Sequence, residues 1–266
     1  MATSLSFSGG LPEMYERFLV EPIFRPWAAI LLGRIALTGH ERLLDVACGT
    51  GIVVRVAEPH LRLGKVIGVD ASPQMLAVAR RAAPDIEFRQ GAAEALPVPA
   101  GETFDVVTCH QGLQFFPNKP GAVSEMRRVL APGGRVGISV WSGVDKLPLM
   151  LDLQRVAERH LGPIVDVRHN FGDPAALASL LKDGGFSSVR VETLSHAVRF
   201  EDATLFPRLN AMALVGMTAK GKEMTDEDKA RTAEMIANES VDAIRRYSDG
   251  VSLTFDLASN IATATA

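Results

Sequence analysis

The chain has 266 residues, a formal net charge of −3, 47% hydrophobic residues and 22% charged ones. That size and composition suit one large globular domain and exclude a disordered or fibrous chain. The slight acidity offers no basic face for nucleic acid. The only two cysteines, Cys48 and Cys109, are far apart and form no CxxC, so neither a disulfide framework nor a zinc ribbon is indicated and no metal is expected. No run of about 18 uncharged apolar residues is present, which predicts no membrane span. With no basic-then-apolar leader either, the expected location is cytoplasmic.

Residues 1–10 are small and polar, as mobile ends are. Two helices are predicted next, one over Pro12 to Val20 and one from Pro22, where Ile23, Trp27, Ile30, Leu31 and Ile35 fall at helical spacing. From Arg42 the texture changes. Leu43 to Ala47 reads as a short buried strand, followed by Cys48-Gly49-Thr50-Gly51 and a helical run. Lys65 to Val69 is a second strand, closed by Asp70, and Ser72-Pro73 opens a helix through Arg81 with Ser72 as its cap. Further strands are predicted over Ile86 to Gln90, Phe104 to Thr108 and Arg135 to Trp141. A helix over Val123 to Leu130 and a turn at Ala131-Pro132-Gly133-Gly134 precede the last of these. Helices near Leu149–His160 and Pro174–Lys182 come later. Two β-like runs, Val189–Phe200 and Val251–Ile261, flank a helical stretch from about Asp202 to Tyr247. Strands alternating with helices, and strands apolar on both faces, predict a parallel sheet covered on both sides.

The first strand-to-helix turn carries chemistry. Glycines at Gly49 and Gly51 let a ligand approach the backbone, and the helix start beyond favours an anionic group. Asp70 ends the next strand, where dinucleotide-binding folds place an acid on ribose hydroxyls. A tight turn with no ligand is the alternative, and Val54 stands where a full GxGxxG would have its third glycine.

Five blocks in order give a more specific signal. Leu43-Leu44-Asp45-Val46-Ala47-Cys48-Gly49-Thr50-Gly51 resembles the first motif of class I S-adenosylmethionine-dependent methyltransferases. The match is closest to the small-molecule branch of the ubiquinone/menaquinone methyltransferases (methyltransferase type 11). Val66-Ile67-Gly68-Val69-Asp70-Ala71-Ser72-Pro73-Gln74-Met75-Leu76 resembles the second motif, and Gly91-Ala92-Ala93-Glu94-Ala95-Leu96-Pro97 the third. Phe104-Asp105-Val106-Val107 and Arg128-Val129-Leu130-Ala131-Pro132-Gly133-Gly134-Arg135 resemble the blocks at strands four and five. The resemblance spans about residues 40–142. It implies an α/β fold, a Rossmann-like seven-stranded sheet with six parallel strands, one antiparallel strand and helices on both faces. It also implies S-adenosylmethionine as cofactor, S-adenosylhomocysteine as product and a small, apolar or aromatic methyl acceptor.

By the same resemblance Asp45, Gly49, Thr50 and Gly51 surround the methionine part of the cofactor, Asp70 binds both ribose hydroxyls, and Ala71 and Met75 flank the adenine. Ala92 stands where many relatives have an aspartate that accepts from the adenine amino group; alanine cannot accept, so the backbone of Ala92 and Ala93 is left for that role. Glu94 reads as a solvated acid. His110 lies after strand four, where backbone reaches the methionine group; it is the candidate general base, against an orienting or packed histidine. Gln111, Gln114 and Phe115 are candidate acceptor contacts by position, and Arg168, His169 and Phe171 are further residues within conceivable reach. Tyr15 is the candidate aromatic lid over the cofactor, against a surface tyrosine.

One domain is expected: leading helices over residues 1–40, a cofactor-binding core over 41–200, a helical cap over 201–248 and a final strand over 249–266. An apolar band in the cap, from Leu205 to Met217, suits either a pocket roof or packing on the core or a second subunit, so a homodimer stays open. A nicotinamide-dependent oxidoreductase and a non-catalytic S-adenosylmethionine-binding protein are the rivals. The first lacks its third glycine and a Tyr-x-x-x-Lys pair.

Overall fold

The computed structural model describes residues 10–61 and 64–266; the leading tail at residues 1–9, expected to be mobile, lies outside them. Its centre is a seven-stranded sheet: β1 (Arg42–Val46), β2 (Lys65–Asp70), β3 (Glu87–Gln90), β4 (Phe104–His110), β5 (Leu130–Trp141), β6 (Ser187–Phe200) and β7 (Leu253–Thr265). The spatial order is β3-β2-β1-β4-β5-β7-β6. The first five strands pair in parallel, and β7 runs antiparallel to both β5 and β6. The sheet therefore has six strands in one direction and one against, as expected.

The central strands have no polar face because both faces are covered, whereas the edge strands β3 and β6 carry exposed polar residues. Neighbouring residues divide between two cores. Leu43, Val66 and Val106 face one core, with α2 (Arg25–Ile35) and α3 (Ile52–Ala57); α4 (Pro73–Ala82) adds Leu76 and Ala79 to it. Leu44, Ile67 and Val107 face the other, with α5 (Lys119–Arg128) and α7 (Pro174–Asp183). A third apolar cluster joins α6 (Pro148–Leu161), α8 (Leu205–Met217) and α10 (Asp226–Glu239). Two single-turn helices, α9 (Ala219–Lys222) and α11 (Val241–Ile244), complete the stretch between β6 and β7.

Several boundaries differ from expectation. The leading helices are not two with a break at Pro22. α1 (Leu11–Tyr15) runs through a π-helical segment, Glu16–Phe24, directly into α2. The wider π turns accommodate Pro22 without ending the helix, and burial of Val20, Ile23, Trp27 and Leu31 holds it down. α5 starts earlier than expected because Asn118 caps it, accepting from the Gly121 N–H at 3.0 Å. The Ala131–Gly134 turn lies inside β5 as a bulge, where the partner of β4 jumps from Leu130 to Arg135.

Candidate functional site

In an open parallel sheet the carboxyl ends of the strands share one edge, and ligands sit there. Strand order lays this chain's polar residues along that edge: Asp70 on β2, Asp45 on β1, His110 on β4, then Trp141 and Ser142 at the end of β5. A cavity of about 780 Å³ follows the same line. Tyr15, Phe24, Asp45, Gly49, Asp70, Ala71, Met75, Ala92, Ala93, His110, Gln111 and Phe115 all border it.

The glycine turn is built by backbone geometry. Ala47, Gly49 and Gly51 all have positive φ, at 56°, 56° and 86°. This curls the chain so that the Gly49 N–H donates to Asp70 Oδ2 at 2.8 Å. Asp70 Oδ1 accepts from the Ser72 N–H, also at 2.8 Å. Each carboxylate oxygen has a second lone pair, so Asp70 retains acceptor capacity toward the cavity. Burial pushes its pKa above the usual carboxylate range. Asp45 is 1% exposed and accepts from the Thr108 hydroxyl at 2.7 Å. Burial pushes it up to about 7, and the charge of Asp70 adds to the effect against the Thr108 bond. Among the described residues no basic side chain pairs with either acid. Asp45 and Asp70 thus face the cavity with no counter-ion of their own, a lining that suits a cationic ligand bearing hydroxyl donors.

His110 is tied at both ring nitrogens. Its Nε2 lies 3.2 Å from the Phe24 carbonyl, which can only accept, so Nε2 carries the proton. Its Nδ1 then accepts from the Ser139 hydroxyl at 2.6 Å. Burial pushes the imidazole down to about 4, so the ring is neutral at pH 7. The expected general base is corrected to a neutral post that fastens the leading helix to the strand edge. Phe24 in turn packs against Tyr15 at a tilt of 41°, ring centroids 4.7 Å apart, and meets Trp141 at 6.1 Å. Burial, then the charges of Glu16, Asp70 and Asp45, raises the Tyr15 hydroxyl pKa, so it stays protonated.

Four expected residues do not border the cavity. Thr50 is fully buried beneath the turn. Gly51 caps α3, and a Cβ there would lie 3.1 Å from the Phe88 ring, so its task is close packing. Gln114 turns inward, its Nε2 3.4 Å from Gln111 Oε1. Phe171 packs against the second core instead, with Lys119 over its ring. Glu94, expected in solvent, borders the cavity and accepts from the Asn118 N–H at 3.4 Å. Both cysteines are buried with raised pKa values, so neither is a reactive thiol.

Other bordering residues had no motif to mark them. Phe24, Trp141, Met150, Phe206, Leu209, Asn210 and Met212 come from the leading helix, the end of β5, α6 and α8. The apolar band of α8 was a usable signal, and Asn210 is conspicuous as a polar residue within it.

Residues 44–138 match the family described as "Methyltransferase domain". A demethylmenaquinone methyltransferase of Thermus thermophilus is 35% identical over 179 residues, covering 59% of this chain and 79% of that protein. A ubiquinone/menaquinone biosynthesis C-methyltransferase of Methylobacterium nodulans is 34% identical over 198 residues, covering 66% and 78%. Among solved structures, phosphoethanolamine N-methyltransferase 2 of Haemonchus contortus in complex with S-adenosylmethionine superposes with a TM-score of 0.55 at 17% identity, covering 99% of this chain and 60% of that one. This chain belongs to the class I S-adenosylmethionine-dependent methyltransferases. It is an enzyme that moves a methyl group from S-adenosylmethionine to a small acceptor and releases S-adenosylhomocysteine.

Proposed function

We propose that the acceptor is an apolar ring compound of the quinone type, and that donor and acceptor divide the cavity at His110. The observation that carries this reading is the asymmetry of the lining. A buried acid, Asp45, and a half-buried one, Asp70, lie without a cation at the β1–β2 end. The β5–β7 end is closed by Trp141, Met150, Phe206, Leu209, Met212 and Leu257.

At the first end Asp70 would take the ribose hydroxyls and Asp45 the cationic methionine part, with the Gly49 backbone beside it. Ala71, Met75, Ala92 and Ala93 would enclose the adenine, and Tyr15 would cover the cofactor from the leading helix. When bound, S-adenosylmethionine supplies a methyl group already activated on a cationic sulfur. The chain's own contribution is to align the acceptor and keep water out, and alignment of this kind is worth roughly 7–11 kcal/mol of barrier. Tyr15, Phe24 and Trp141 line the cavity with rings that pack on one another, and the neutral His110 brings no charge to it. Residues 41–200 would form the cofactor core, with 1–40 closing one rim, 201–248 as the cap on the acceptor side and 249–266 as the strand that anchors it.

The test is turnover with demethylmenaquinone reduced in place by borohydride, read by mass spectrometry. A product heavier by one methyl group, formed with S-adenosylhomocysteine, is expected. Tight binding of S-adenosylhomocysteine with no methylation of any ring acceptor would overturn the acceptor assignment.

A further inference from the structure

A polar cluster lies where the apolar end of the cavity meets the loop after α6. Asp166, nearly buried, grips Arg168 in a fork, Nε to Oδ1 at 2.8 Å and Nη2 to Oδ2 at 2.6 Å. Arg168 Nη2 also donates to Asn210 Oδ1 at 3.0 Å, joining this loop to α8. That contact fixes the amide: its oxygen is spent on Arg168, and Nδ2 is left as a donor. His169 is fixed as well. Its Nδ1 is 3.0 Å from the Ser142 carbonyl and must donate to it, which leaves Nε2 as a bare acceptor. Arg168, His169 and Asn210 all border the cavity, and His169 and Asn210 are 7% and 4% exposed. Among the described residues neither His169 Nε2 nor Asn210 Nδ2 has a hydrogen-bond partner. Ser142 follows β5, three strand spacings or about 14 Å from Asp70's strand, so the cluster is not part of the acid-lined end.

We propose that His169 and Asn210 form a reader for a ring hydroxyl on the methyl acceptor, with Arg168 and Asp166 holding the reader in shape. The proposal rests on the methyl-transfer reading above and adds the group by which the acceptor is positioned. A hydroxyl satisfies both vacancies: its O–H donates to His169 Nε2 and its oxygen accepts from Asn210 Nδ2. A carbonyl or an ether has no proton for Nε2, a carboxylate likewise, and an ammonium has no lone pair for Nδ2 and meets Arg168. Leaving a buried donor or acceptor unpaired is costly, so the pair discriminates by penalty as well as by attraction.

The experiment is calorimetric titration of the S-adenosylhomocysteine complex with 1-naphthol and with 1-methoxynaphthalene. Wild type is expected to prefer the naphthol by about tenfold or more, the order of one unpaired buried polar group. His169→Leu should bring the ratio close to one, and Asn210→Leu should weaken both ligands while leaving the ratio in place, each with S-adenosylhomocysteine affinity unchanged, which also reports that the variants fold. His169→Gln, which offers an acceptor oxygen, should recover part of the preference. A wild-type ratio near one with S-adenosylhomocysteine bound, a preference that survives His169→Leu, or affinities for both ligands that are untouched by Asn210→Leu, overturns this proposal alone. Failure of wild type to bind S-adenosylhomocysteine overturns the underlying reading and the proposal with it.

Discussion

Replacing Asp45 by asparagine should change how both stability and cofactor affinity respond to pH. The carboxyl is buried against Thr108 and faces no cation, and its pKa rises from 3.8 to about 7. In the unfolded chain it ionises near its ordinary value. Between those two values the folded chain holds a proton that the unfolded chain has released, so stability from this group is complete at low pH and is lost as pH rises through 7. At 1.36 kcal/mol per pH unit the loss amounts to about 4 kcal/mol. The amide introduced by Asp45→Asn would keep the Thr108 bond but not titrate. Urea unfolding without ligand should therefore show Asp45→Asn and wild type close together near pH 4, with the variant progressively more stable up to about pH 8. Binding of a cation runs the other way, because it needs the ionised acid. For a pKa of about 7 the ionised fraction is about 3% at pH 5.5 and about 75% at pH 7.5, so S-adenosylmethionine affinity should rise about 25-fold between them. The same series on Asp45→Asn removes the ligand's own titration from the comparison. A stability difference that does not grow with pH, or affinity profiles that coincide in the two proteins, would refute the argument.

Asp70→Ala removes a charged acceptor whose hydrogen bonds to ligand hydroxyls are worth about 1.5–3 kcal/mol each, so S-adenosylhomocysteine affinity should fall by at least about a hundredfold in calorimetry; a loss of only a few fold would contradict its role. Gly51→Ala places a Cβ at φ 86° and 3.1 Å from Phe88, and urea unfolding should show a loss of about 1–2 kcal/mol. Ser139→Ala leaves His110 Nδ1 without its donor and should destabilise by about 1–3 kcal/mol. Because His110 sits at about 4, the methyl-transfer rate should show no histidine ionisation near pH 6.5; a step there that vanishes in His110→Gln would restore the general base.

The part of the molecule that could be read from the sequence is the part held by local chemistry. Asp45, Gly49, Gly51 and Asp70 sit at strand ends where a turn must curl and an acid must meet backbone N–H groups, and such needs select residue types at fixed spacing. Pro22 misled because its local preference for ending a helix was overridden by π turns and by the burial of Ile23 and Trp27. Gln114 misled because sequence gives the position of a residue on a short turn but not the direction of its side chain. The acceptor end was the least legible. Arg168 meets Asn210 and His169 meets Ser142 only because α8, the loop after α6 and the end of β5 converge in space. No single stretch of chain records that meeting.

β6 and β7 pair in an almost unbroken ladder from Ser187↔Thr265 to Phe200↔Leu253, and α8, which walls the acceptor end, belongs to the helical stretch that joins the two strands beyond the Phe200↔Leu253 rung. The ladder makes that stretch a replaceable cassette. A different set of helices spliced between Phe200 and Leu253 would be clamped by the same rungs, while the acids on β1 and β2, at the far side of the sheet, would feel nothing. Descendants of such a chain can change what they modify without relearning how to hold the donor.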